Sequence, residues 1–148
     1  MDPRILEITQ AAETLLLAKP LGSDDGRRFL PMRMFRDLIR PVPMRAKVLN
    51  DYQLDVVKHH FTEYVPNRNK PLYTLQSELL IPALAHYLDV GPNAQPYDDT
   101  PWMDDPLPVV HQFRNGWRIV DGHHRLIAGC LLDRTVYCAT AQARPEYA

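Results

Sequence analysis

The chain has 148 residues, 45% of them hydrophobic, and a formal net charge of −1. That length and apolar content suit one folded domain with its own core, and near-neutrality excludes attraction of the whole surface to nucleic acid. No apolar run approaches the roughly 20 residues of a membrane-spanning helix, so no membrane partner is expected.

The opening MDPRILEITQ lacks a charged region followed by an apolar one, which is not the pattern of a signal peptide, and a cytoplasmic protein is expected. From Pro3 to Ala18, Ile5, Ile8, Ala12, Leu15 and Leu16 recur at helical spacing with proline in the first turn. Lys19-Pro20 ends that helix and LGSDDG is a loop. A second helix is predicted within Met32 to Ile39, closed by RPVP. A third is predicted over about Ala46 to Tyr64, where Val48, Leu49, Tyr52, Val56, Val57 and His60 form a stripe. Leu15, Leu16, Val56 and Val57 are expected in the core. VPNRNKP then breaks the pattern, dividing a helical N-terminal region, 1–70, from a mixed region, 71–148.

In the second region PLYTLQSELLIP reads as a short strand and a helical turn, PALAHYLDV as a short helix, and GPNAQPYDDTPWMDDP as a long loop. LPVVHQF and WRIV are strands joined at Asn115-Gly116, a strong hairpin signal. DGHHRLIAGCLLD is a turn and a helix, and RTVYCATAQ a last strand. The expected class is α+β: a small mixed sheet preceded by helices.

Charge is unevenly placed. Arg27 to Lys47 carries seven Arg or Lys and one Asp, suited to a phosphate backbone or an anionic partner, or to a solvated face that pairs with the acidic loop at Tyr97 to Asp105. Tyr97 to Asp105 carries four Asp and no base. Hard cations take oxygen ligands, but the spacing of a calcium loop is absent, so a solvated turn is expected there and no metal site. The two cysteines, Cys130 and Cys138, lie in apolar surroundings and read as reduced, buried residues. His59 and His60 are adjacent on a predicted helix and point different ways, so they form no two-ligand face. His86 and His111 are lone histidines, packed or solvated.

Chemistry concentrates in WRIVDGHHRLIAGCLL. A helix starting at His123 presents free backbone N–H groups and the positive end of its dipole. Such an end binds phosphate, and Gly122 lets a ligand approach the backbone. Arg125 adds a planar cation, and His123 and His124 can donate hydrogen bonds. Asp121 could cap the helix, hold a histidine tautomer or help place magnesium. An ordinary capped helix with exposed histidines has the same composition.

The segment PLPVVHQFRNGWRIVDGHHRLIAGCLLDRTVYCAT resembles the core of the ParB/sulfiredoxin superfamily, and LYTLQSELLIP resembles that family's first strand and its L-x-P exit. The resemblance covers roughly residues 71–142. It implies a sulfiredoxin-like sheet and a nucleotide-phosphate site at Gly122, His123, His124 and Arg125, taking ATP or another nucleotide, with magnesium if the protein is catalytic. His123 stands where sulfiredoxins carry their essential cysteine, and Cys130 is two turns too late, so sulfinic acid reduction is not expected. Partition proteins carry an acidic-arginine version of the box and continue into a helix-turn-helix domain; with the last strand close to Ala148, partitioning is not expected either. The family's free serine kinases resemble DGHHR better, and that chemistry needs a carboxylate base. Glu78 holds the matching position, although a solvated glutamate in a first helical turn would look the same. With Asp121, His123 and His124 it completes the candidate catalytic set. The expected function is hydrolysis or transfer of a nucleotide phosphate, in the manner of an NTPase, a phosphotransferase or a ParB-like nuclease. The alternative is a non-catalytic module binding DNA or a protein through residues 27–47.

Overall fold

A computed structural model describes residues 2–17, 29–66, 70–94 and 107–147. The Asp-rich segment 97–105, Arg27 and Arg28 lie outside the described residues, as do the side chains of Leu15, Leu16, Val57 and His59.

The chain is mixed α+β. Six strands form one sheet in the order β2 (Ile39–Pro41), β4 (Leu72–Thr74), β7 (Gly116–Asp121), β6 (Val109–Phe113), β8 (Val136–Ala143), β3 (Leu54–Tyr64). Strands β2, β4 and β7 run parallel to one another, as do β6 and β8, whereas β7–β6 and β8–β3 are antiparallel. A separate antiparallel ribbon pairs β1 (Phe29–Pro31) with β5 (Glu78–Leu80). Among the described residues no helix is long and apolar enough to cross a membrane.

Three helices complete the fold: α1 (Pro3–Leu17), α2 (Ile81–Val90) and α3 (His123–Leu132). Helix α1 packs on α2, and α2 on α3. Their apolar stripes, Ile8 and Ala12 of α1, Ile81 and Leu84 of α2, Leu126 and Ile127 of α3, close one core with Ile39, Leu72, Ile119 and Val136 of the sheet. A second, smaller cluster joins Leu54, Val109, Ala139 and Ala141 to Leu49 and Leu107. Arg118 is 1% exposed. Its Nη2 donates to the Leu49 carbonyl at 2.9 Å and its Nη1 lies 3.5 Å from the Asp51 carboxylate, tying the segment before β3 to the sheet.

Several expectations are corrected. Instead of a helix over Ala46–Tyr64 there is a 3-10 turn at Asp51–Gln53 and then the long strand β3. Its register against β8 jumps from Val57↔Thr140 to Phe61↔Ala139. The apolar residues that imitate a helical stripe, Val48, Leu49, Tyr52, Val56 and Val57, come from the segment before the turn, the turn itself and the start of the strand, so their spacing runs across separate elements. Val56 is 43% exposed and is not a core residue. The second predicted helix is one 3-10 turn, Met32–Phe35, followed by β2, whose Arg40-Pro41 cannot continue a helix. The predicted helical turn after β4 is strand β5, because β1 runs alongside it from Phe29↔Leu80 to Pro31↔Glu78, and the Met32 N–H donates to the Ser77 carbonyl just before it.

These corrections change how the chain's two halves relate. The region before residue 70 is not mainly helical: it contributes β2 and β3, one to each edge of the sheet, and α1 packs into the same core as α2 and α3.

The hairpin is displaced by one residue. Phe113 pairs with Gly116, the loop is Arg114-Asn115, and Arg114 has φ +52°. Gly116 is needed for another reason: a Cβ there would meet the Pro71 carbonyl oxygen at 2.0 Å. By contrast α1, α2, β6, β7, α3 and β8 fall where the sequence places them.

Candidate functional site: the α3 turn and the groove beside it

In a sheet with parallel strands, side chains and helix ends that can meet a ligand collect at the carboxyl ends of those strands. Here β4 ends at Thr74, β7 ends at Asp121, and the segments that follow them touch. Thr74 Oγ1 and His123 Nε2 are 2.7 Å apart, and the same hydroxyl accepts the Gln76 N–H at 2.9 Å. Beyond β2, the Val42 N–H donates to the Thr74 carbonyl at 2.9 Å, so three parallel strand ends are held as one platform.

Helix α3 begins there. Gly122 is its N-cap residue, in the left-handed region at φ +89°, with no side chain capping the helix. A Cβ on Gly122 would come within 2.6 Å of the Pro108 side chain, so both the dihedral and the close packing require glycine. Asp121, exposed at the end of β7, accepts the Gly122 N–H at 2.9 Å and does not cap the first turn of the helix. The free N–H groups of that turn therefore have no side-chain acceptor from the capping position.

The nitrogen-rich side chains of the box face inward. His123 is 7% exposed, and burial, followed by the charges of His124 and Arg118, lowers its pKa to about 4. His124 Nε2 accepts the backbone N–H of Leu80 at 2.9 Å. A ring nitrogen that accepts carries no proton, so the proton of neutral His124 is on Nδ1. Burial lowers its pKa to about 4 as well. Arg125 is 6% exposed; its Nη2 donates to the Ala94 carbonyl at 3.0 Å and its guanidinium lies 5.2 Å from the centre of the Tyr87 ring. The box thus sews α3 to the β4–β5 loop, to the start of α2, and to the segment after α2. Glu78 sits in β5, exposed, opposite Pro31, in a strand that abuts α3.

A groove of about 540 Å³ adjoins the platform through Thr74. It is lined by buried Met32 and Ile39, by Val42 and Leu75, and by exposed Arg33 and Arg36. Both arginines belong to the basic run noted in the sequence, but the groove they line needs β2 and β4 side by side. Thr74 carried no signal in the sequence, since its hydroxyl acquires a role only when β7 delivers His123 to it.

The other candidates are structural. His111 donates from Nδ1 to the Ala141 carbonyl at 2.9 Å, and exposed His60 bonds to Gln142. His86 packs edge-on against Tyr87. Cys130 and Cys138 are free thiols, which burial pushes up to about 11 and about 12. Both are therefore protonated and poorly nucleophilic near neutral pH. No group of three or more His, Cys, Asp or Glu side chains that could hold a metal converges among the described residues.

Comparison with known proteins attaches no family to this geometry: no family model matches the chain, and neither a curated protein nor a solved structure matches it.

Proposed function

We propose that this protein binds a nucleotide through its phosphates at the α3 turn and hydrolyses or transfers one of them, as the resemblance to ParB/sulfiredoxin proteins implies. The observation that supports this most is the uncapped start of α3, placed by a left-handed glycine at the joined ends of β4 and β7. Backbone N–H groups and the helix dipole supply the phosphate contacts. His123, His124 and Arg125 act here as positioning residues, because their donors and acceptors serve the fold. Magnesium binds through one or two carboxylates plus phosphate oxygens, so it needs no cluster of protein ligands. Asp121 and Glu78, both exposed, are the residues that would hold it or take a proton.

The test is a panel of ATP, ADP and CTP with magnesium, following binding and phosphate release, in the native chain and in Asp121→Asn and Glu78→Gln. Asp121→Asn keeps the acceptor for the Gly122 N–H and removes the charge. It is expected to bind nucleotide and lose turnover. Absence of binding to every nucleotide would sink the reading; binding without release in the native chain would leave a non-catalytic module. That second reading, binding of DNA or a protein partner, is favoured by Arg33, Arg36, Arg40, Arg45 and Lys47, which are all exposed.

A further inference from the structure

The run 27–47 contains a single acid, Asp37, and its carboxylate is already engaged: Arg4 reaches it at 2.8 and 3.3 Å. Among the described residues, Arg33 and Arg36 form no ion pair with any carboxylate. Their placement is regular. Met32–Phe35 is a 3-10 turn, and Arg36 extends it, with helical dihedrals and an N–H donated to the Arg33 carbonyl at 3.3 Å. With three residues per turn, positions i and i+3 eclipse, so the two side chains share one side of the turn and both line the groove. Two like charges are brought together there, and the fold supplies no counter-charge from its described residues.

Beneath them the groove is mostly apolar. Met32 is 6% exposed and Ile39 1%, while Leu75, which also lines the groove, is 56% exposed. Thr74 contributes a hydroxyl already fixed by Gln76 and His123. A cavity of several hundred Å³, apolar in lining and carrying a few placed polar groups, is the pattern of a small-molecule site.

We infer that this groove binds a small organic phosphate monoester, its dianionic head between Arg33 and Arg36 and its apolar body on Met32, Ile39 and Val42. Charge selects the head group. One guanidinium satisfies a carboxylate through a bidentate pair, whereas a phosphate monoester carries roughly −1.5 to −2 at neutral pH and three acceptor oxygens, enough for two guanidiniums. Shape selects the body, since inorganic phosphate would leave the floor of the groove uncovered. This groove uses none of the backbone of α3, and its ligand is independent of any nucleotide at the α3 turn.

Isothermal titration of the full chain with phenyl phosphate, inorganic phosphate and phenylacetate tests it. Phenyl phosphate is expected to bind about tenfold or more tightly than inorganic phosphate, since tenfold is about 1.4 kcal/mol and burying part of a ring supplies that much. It is expected to bind about tenfold or more tightly than phenylacetate, whose single charge engages one guanidinium only. Arg33→Gln and Arg36→Gln, both on exposed side chains, are each expected to weaken it about tenfold with unchanged circular dichroism. Equal affinity for the three probes, or unchanged phenyl phosphate binding in both variants, would overturn the inference. So would a DNA oligomer that binds more tightly than phenyl phosphate and depends on the same two arginines.

Discussion

The α3 turn and the 3-10 turn at Met32–Phe35 are both cation-rich, yet they treat their charges in opposite ways. At α3, His123, His124 and Arg125 are inward-facing, and each has a partner inside the protein. At the 3-10 turn, Arg33 and Arg36 are exposed and have no carboxylate among the described residues. A polar group used by the fold is expensive to remove, whereas an exposed, unpaired charge contributes little to stability and is available to a ligand. The side chains of the α3 turn are therefore committed to the fold, whereas Arg33 and Arg36 are not, and variants at each should show it.

The largest expected effect is on pH dependence. Burial lowers the pKa of His123 and His124 from an ordinary 6.5 to about 4. As pH falls below 6.5 the unfolded chain takes up these protons first, and the folded chain resists until about 4. Stability is therefore fully present above pH 6.5 and is lost between there and about pH 4, by roughly 3 kcal/mol for each histidine over the whole window. Urea titrations at pH 7, 6, 5 and 4.5 measure it. His124→Gln, whose amide oxygen can still accept the Leu80 N–H, should flatten the slope; an unchanged slope would mean that His124 is not held neutral in the folded protein.

Gly122→Ala should cost about 2 kcal/mol, because alanine disfavours the left-handed region and its methyl meets Pro108. Chemical denaturation of the variant gives the value, and a loss within experimental error would contradict the packing against Pro108. Next comes Arg125→Met, which removes the bond to the Ala94 carbonyl and the cation over Tyr87 while retaining much of the apolar stem. A loss of about 1 to 2 kcal/mol is expected, with phenyl phosphate binding in the groove unchanged. If instead that binding collapses while the fold is intact, the two turns are one site. The smallest effect belongs to Arg33→Gln with Arg36→Gln. Thermal denaturation of the double variant should stay within about 0.5 kcal/mol of the native chain, as for surface changes away from partners. A large loss would show that these arginines are part of the scaffold after all.

The elements readable from sequence were those with one clear period and one clear boundary. Helix α2 has Pro82 in its first turn and its apolar residues on one face. Strand β7 has a turn before it and Gly122 after it, which also marks the start of α3 at about His123. Strand β3 reads as helix in the sequence because its first apolar residues continue a spacing begun in the preceding segment and the 3-10 turn. Strands β1, β2 and β5 span three residues each, too few to show any period, and exist because partners distant in sequence are brought alongside. At the candidate site, the sequence marked the box but not its orientation. A histidine that binds a ligand and one that receives a backbone N–H are the same letter, and only the position of Leu80 distinguishes them.

What the sequence determined by itself was local: a mixed α+β chain, a strand, glycine and helix in immediate succession, and a basic run with one acid. These depend on backbone preference, spacing and charge, which residues carry with them. The tertiary structure decided which cations are occupied. By pairing β2 with β4 and β4 with β7, it set Thr74 against His123 and opened the groove beneath Arg33 and Arg36. It likewise buried Arg125 beside Tyr87 and engaged Asp37 with Arg4. Burial and partnership depend on residues far apart in the chain, and they decide whether a charged side chain holds the fold together or remains free for a ligand.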